Sequence, residues 1–172
     1  TQRTCNTNNT LQPTHHLFCC DADAVRAGYY ELALYNHILG QQDPGSGMVS
    51  YFLPMMTGAH KVYSTTEHSF WCCVGTGFEN HAKYGEAIYY HNGDELFVTL
   101  FVPSELDWKE KQTRIRLETR FPEQESVRLE IDTPEPNKFT LNLRYPSWAS
   151  DVRVSINGKR LGRLERPADG FI

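Results

Sequence analysis

A chain of 172 residues and 19.8 kDa is long enough for one ordinary domain or two small ones, each with a sizeable core, which argues against a disordered chain. Its 17 Lys+Arg against 21 Asp+Glu leave a net charge of −4, which offers no electrostatic footprint for nucleic acid or an anionic membrane surface. A mean hydropathy of −0.53 with 40% hydrophobic residues describes a soluble globular protein. No run approaches the roughly eighteen apolar residues of a membrane span. The sequence opens at Thr1 with neither an initiator Met nor a charged-then-apolar leader, which predicts a processed chain or a piece of a longer one.

The five cysteines stand as one at Cys5 and two adjacent pairs, Cys19-Cys20 and Cys72-Cys73. An odd number cannot close into disulfides within one chain, so free thiols or metal thiolates are expected. Reduced thiols persist more easily in the cytoplasm, and the sequence leans that way.

In chain order, residues 22 to 39 carry no Pro and predict a helix. Val25, Tyr29, Leu32 and Leu39 mark one apolar stripe and Tyr30, Leu34 and Ile38 a second, so burial among other helices is expected. A long connection follows, beginning Gly40-Gln41-Gln42-Asp43-Pro44-Gly45-Ser46-Gly47, and loops of that size are often functional. Residues 76 to 90 predict a further helix with Thr76 as N-cap. The turn-forming cluster His91-Asn92-Gly93-Asp94 then divides the chain into parts 1–91 and 92–172.

After that cluster the period changes to two. Leu96, Val98, Leu100 and Val102 alternate with Phe97, Thr99 and Phe101, as in a strand covered on both faces. The segments around Ile115, Leu129 and Leu141 alternate with polar residues, which suits antiparallel strands with one wet face. Val152, Val154 and Ile156 lead into Asn157-Gly158, a strong hairpin signal. Short strands at this spacing predict an antiparallel β-sandwich, here incomplete.

Chemistry concentrates at Phe70-Trp71-Cys72-Cys73-Val74-Gly75-Thr76-Gly77. Two thiols just before a helix start lie near unpaired N–H groups and the positive end of the helix dipole, which favour thiolate. A thiolate is both nucleophile and soft metal ligand, and two cysteines alone cannot fill a tetrahedral zinc site, so Cys5 is the first further candidate. The vicinal pair equally suits a packed core, since free cysteine is among the most buried residue types. Gly75-x-Gly77 lacks the third glycine and the Lys of a phosphate loop and reads as a close-packed turn. Glu79 and His81 read as structural, and His15-His16 with Cys19-Cys20 as a weaker ligand-like cluster. Tyr145-Pro146-Ser147-Trp148 offers an aromatic platform for a sugar, with a place in the core as the default.

Taken together, Thr4-Cys5-Asn6-Thr7 with His16-Leu17-Phe18, Ala33-Leu34-Tyr35-Asn36-His37-Ile38-Leu39, Gln42-Asp43-Pro44, Phe70-Trp71-Cys72-Cys73 with Glu79-Asn80-His81-Ala82-Lys83-Tyr84-Gly85-Glu86, and Tyr145-Pro146-Ser147-Trp148 resemble glycoside hydrolase family 127, the β-L-arabinofuranosidase group. Members are several times longer, so the resemblance implies a fragment. Residues 1–91 would be the C-terminal helices of an (α/α)6 toroid, and 92–172 the start of a β-sandwich. It further implies a retaining glycosidase for arabinose-containing glycans in which Cys72 is the nucleophile, Cys5, Cys72 and Cys73 bind Zn2+, and a glutamic acid upstream of Thr1 is the acid/base. The segment alone is then expected to be inactive.

Departures from the family pattern cluster in the first twenty residues. Arg3 stands where the resemblance implies a zinc-binding glutamate, Asn8 where a Tyr is usual, and Cys19-Cys20 where Arg-Trp is usual. Pro13 is expected to break or kink a helix running through it. Tyr51, in the connection before the vicinal pair, is expected to border the sugar. The competing readings are a non-catalytic carbohydrate-binding or structural member and a zinc-thiolate or redox protein. Oligomeric state is not specified by the sequence.

Overall fold

In a computed structural model describing residues 2–172, Thr4–Cys20 forms one continuous helix, α1. Pro13 does not break it. The proline and the residue whose carbonyl it orphans, Asn9, are both exposed, so water can take up the lost hydrogen bond. Thr4, Thr7, Leu11 and Phe18 give α1 its buried side, at the three- and four-residue spacings of a helix face.

Helix α2, Ala24–Ala33, starts where the Asp23 carboxylate accepts the Val25 N–H at 2.8 Å. It passes through a π-helical turn, Leu34–Ile38, into the short α3, Leu39–Gln41. The expected burial on both faces is not found. Leu34 and Ile38 are buried, but Val25 and Leu32 remain 77% and 61% exposed, and Tyr29 and Leu39 are exposed too. The covered side instead includes Ala27, Glu31 and His37, residues too small or too polar for a hydrophobicity pattern to place inside.

His37 joins the π turn to α1 through a 2.6 Å hydrogen bond between Nδ1 and the Thr7 hydroxyl, and its Nε2 is buried without a hydrogen-bond partner. Burial holds the imidazole below its ordinary value of 6.5, so it is neutral in the folded chain. The sign follows directly. Below about pH 6.5 the unfolded chain takes up a proton that folded His37 resists, so its contribution is present above that pH and is lost as the pH falls toward the lowered folded value. We expect the urea midpoint to drop between pH 7 and pH 5, and a His37→Gln variant to show a shallower drop. An unchanged pH slope in the variant would remove His37 from this account. His15 and His81, lowered by the same cause, supply a residual slope of the same sign.

The connection is stitched rather than loose. Asp43 closes a tight turn by accepting the Gly47 N–H at 2.8 Å, and isolated bridges pair Gln42 with Val49, Ser50 with Tyr63 and Gln2 with Leu53. Helix α4 spans Cys72–Ala82, so the vicinal pair opens the helix instead of preceding it. Thr76 is not the N-cap. Its hydroxyl bonds back to the carbonyls of Cys72 and Cys73 at 3.2 and 3.4 Å, and Trp71 takes the cap position without a side-chain bond. Gly77 sits against Val49, where an added Cβ would meet Val49 Cγ1 at 3.1 Å. After Ala82 the helical path ends in a single 3-10 turn, Tyr84–Ala87.

The chain divides into two compact units between Ala87 and Ile88. The His91–Asp94 cluster turns the hairpin of β1, Tyr89–Asn92, and β2, Glu95–Val98, with Gly93 at φ 58°. Strands β3, Ser104–Trp108, β4, Thr113–Thr119, and β5, Val127–Asp132, form an antiparallel sheet. Strand β6, Thr140–Leu143, returns beside β2 and pairs with it in parallel. The expectation of purely antiparallel strands is therefore corrected at this pair: β6 arrives after the whole β3–β5 excursion, which leaves its direction free of any hairpin constraint. Strands β7, Val152–Ile156, and β8, Lys159–Leu164, make a separate hairpin across Asn157 (φ 49°) and Gly158 (φ 78°).

Leu96, Trp108 and Ile115 share a core with Leu129 and Leu141, and Val98, Phe101 and Leu117 form another beside it. The alternating segment from Leu96 stops pairing as a strand at Val98, although Thr99, Leu100 and Phe101 stay buried. Arg144 is 1% exposed, its Nε donating to the Thr99 carbonyl at 2.6 Å and its guanidinium 5.6 Å from the Phe101 ring centre. Tyr145 is buried, whereas Trp148 lies outside the core, stacked on Phe121. Among the described residues no helix is long and apolar enough to cross a membrane.

Candidate functional site

Two helix starts bring three thiols together. Cys5 lies in the first turn of α1, and Cys72 and Cys73 open α4. Their sulfurs form a nearly equilateral triangle, 3.7 Å from Cys5 to Cys72, 3.7 Å from Cys5 to Cys73 and 3.9 Å between the vicinal pair. Cys73 is fully buried, Cys5 half-buried and Cys72 exposed. The pair is thus divided in role by position: Cys73 is anchored inside, with its S–H donating to the Tyr51 carbonyl at 3.6 Å, while Cys72 faces solvent.

The first turn of α4 is held from outside the helix. Gln41, buried at the end of α3, donates from Nε2 to the carbonyls of both Ser50 and Cys73 at 3.1 Å. Sequence reasoning passed over Gln41, because a glutamine in a polar run carries no sign that it will be buried. It also missed the placement of Arg3, whose guanidinium lies 5.3 Å from the ring centres of both Tyr51 and Phe52. Tyr51 stands between these groups, edge-on to Phe52 and Trp71, with its backbone carbonyl accepting from the Cys73 thiol.

The protons are shared unequally. The hydrogen bond shared with Cys5 holds the Cys72 thiol below its ordinary value despite some loss of hydration, with help from Cys73 and Tyr51. Loss of hydration and the hydrogen bonds shared with the Cys72 and Cys73 sulfurs push Cys5 up to about 11. For Tyr51 the largest influence is Arg3, which pulls the phenol down, yet lost hydration and the neighbouring thiols leave it raised. The neighbours of Cys72 thus favour loss of its proton.

The triangle suits a tetrahedral metal ion. Four ligands at the zinc–sulfur distance of about 2.3 Å set sulfurs about 3.8 Å apart, close to the separations here. Cys5, Cys72 and Cys73 form the only such group of potential ligands found among the described residues, and none of these residues adds a fourth donor.

The other candidates lie elsewhere or are occupied. Cys19 and Cys20 are exposed at the far end of α1, fourteen residues and so about 21 Å of helix from Cys5. Cys19 comes within 4.0 Å of His15 Nε2 without forming a group of three ligands. Glu79 is ion-paired with Lys83 at 2.5 Å, and His81 bonds the Tyr84 hydroxyl, in keeping with structural roles.

A helical unit with a three-thiol cluster at its helix starts, followed by a β unit, defines a class of thiol-centred proteins that comparison narrows. Residues 1–86 match the model of the β-L-arabinofuranosidase GH127 catalytic domain, and residues 95–172 that of the GH127 middle domain. The chain belongs to the GH127 β-L-arabinofuranosidase family.

Similar solved structures include a GH127 β-L-arabinofuranosidase from Geobacillus stearothermophilus T6, 24% identical with a TM-score of 0.82, which covers 98% of this chain and 28% of its own. A GH127 β-arabinofuranosidase at 22% identity and TM-score 0.75 covers 98% of this chain and 29% of its own. A third, described as a glycoside hydrolase, is 18% identical with a TM-score of 0.79 and covers 98% and 30%. At these identities the likeness is one of fold, and the chain spans about three-tenths of the length of these relatives. No curated protein matches it in sequence.

Proposed function

We propose that this chain is part of a retaining β-L-arabinofuranosidase acting on arabinose-containing glycans, with Cys72 as its nucleophile. In this reading residues 1–91 complete a helical (α/α)6 catalytic domain and residues 92–172 begin a β-sandwich. The observation that carries the reading is the sulfur triangle, in which Cys72 is the one exposed member and the one whose thiol is held low. Family membership supplies the substrate class.

Cys5, Cys72 and Cys73 would hold a zinc ion, which supplies charge that keeps the thiols deprotonated at neutral pH. Cys73 fixes the cluster from the buried side. The Cys72 sulfur attacks the anomeric carbon, forming a C–S bond as the glycosidic C–O bond breaks, and the departing oxygen takes a proton from a carboxylic acid. Water then attacks the same carbon as it gives a proton back to that carboxylate, the C–S bond breaks, and sulfur leaves as thiolate. Two inversions give net retention. Tyr51, joined to the cluster through its carbonyl and beside an exposed face, borders the sugar.

A substrate whose leaving group needs no proton isolates the first step. Incubated with β-L-arabinofuranosyl fluoride, the zinc-loaded longer polypeptide should gain one anhydropentose, located on the Cys72 peptide by mass spectrometry, and its Cys72→Ala variant should gain none. An adduct on another residue, or none on folded zinc-loaded protein, would overturn the nucleophile assignment.

A further inference from the structure

Three sulfurs make one face of a tetrahedron, and among the described residues no His, Cys, Asp or Glu stands ready at the opposite vertex. Arg3, two residues before Cys5, cannot take that place, because a guanidinium stays protonated and has no lone pair to give. It is also held elsewhere, on the faces of Tyr51 and Phe52, whose ring centres are 4.6 Å apart. No ion pair to Arg3 occurs among the described residues, and contact through ring faces leaves in-plane N–H donors of the guanidinium unused. The residue whose ring carries Arg3 also accepts the Cys73 thiol at its backbone carbonyl, 3.6 Å away. A cation with spare donors is therefore held near the cluster through one shared residue, Tyr51.

Charge counting gives that cation a task. A divalent ion with three thiolates carries a net charge of about −1, and a further anion raises it to about −2, an arrangement a neighbouring positive charge stabilises. We propose that Cys5, Cys72 and Cys73 give a divalent metal three thiolate ligands here and that the guanidinium of Arg3 favours a small anion as the fourth. The inference rests on the thiol–metal reading above and adds that the metal keeps one exchangeable position. Under this arrangement the fourth ligand can leave when a substrate oxygen or the reacting sulfur needs room.

Cobalt(II) tests this without reference to turnover, because sulfur-to-metal charge transfer reports the thiolates and the visible bands report the fourth ligand. We expect one cobalt per chain, a charge-transfer band lost in Cys72→Ser, and visible bands that shift and saturate on titration with azide. Arg3→Met should bind cobalt as well but need severalfold more azide for the same shift. Arg3→Glu should bind cobalt about tenfold more tightly and lose the azide response.

Cobalt bound by the wild type but insensitive to azide would mean a fourth protein ligand and would overturn the proposal. So would cobalt bound by Arg3→Glu and not by the wild type, which would show that three sulfurs do not suffice while leaving the thiol–metal reading intact. No cobalt on either folded protein would instead remove the thiol–metal reading itself.

Discussion

In the longer polypeptide to which this chain is proposed to belong, Cys72→Ala should lower kcat for an aryl β-L-arabinofuranoside by about four orders of magnitude or more, as expected when a covalent nucleophile is lost. The prediction has an internal control in the other two sulfurs. Cys73 is fully buried and bonded to the Tyr51 carbonyl, so it cannot reach a substrate and acts only by holding the cluster. Cys73→Ser should therefore lower zinc stoichiometry and activity together, with part of the activity recovered at high zinc. Cys72→Ala should remain inactive at any zinc concentration. Equal rescue of both variants by zinc would show that Cys72 is a ligand and no more.

A loss of stability of about 3 to 5 kcal/mol is expected for Trp108→Ala, the largest for a single truncation in the β unit. The indole is 2% exposed and meets the Phe139 ring edge-on at 5.4 Å in the core that Leu96 and Ile115 complete. Its Nε1 is buried without a hydrogen-bond partner, so part of the native cost of burying the indole is already being borne. Trp108→Phe removes that orphaned donor while keeping a ring in place, and should cost less than half as much as the alanine. Chemical denaturation followed by circular dichroism reads both. A phenylalanine variant as damaging as the alanine would mean that shape, and not the unpaired N–H, governs this position.

Much of this architecture was legible from residue order, and the failures have physical causes. The Asn157-Gly158 hairpin was readable because two consecutive positive-φ residues are a local demand that few sequences meet. The parallel β2–β6 pair was not, because alternation reports which face is buried and carries no information on strand direction. Thr76 read as a helix cap from its type alone, yet the helix begins four residues earlier, at sulfurs placed by contacts distant in sequence. The proximity of Cys5 to the vicinal pair could not follow from a separation of 67 positions, and only the family resemblance supplied it. Arg3 was visible as a departure from that family, but its resting place on Tyr51 and Phe52 depends on how the connection folds back.

The single amide of Gln41 carries a mechanical consequence. By gripping the carbonyls of Ser50 and Cys73 together, it makes the stretch that presents Tyr51 and the helix turn that presents Cys72 one rigid lever. The placement of Tyr51 relative to the Cys72 sulfur is then inherited from the frame. Anything that slackens the connection from Gln42 onward will be felt at the Cys72 sulfur as a loss of aim.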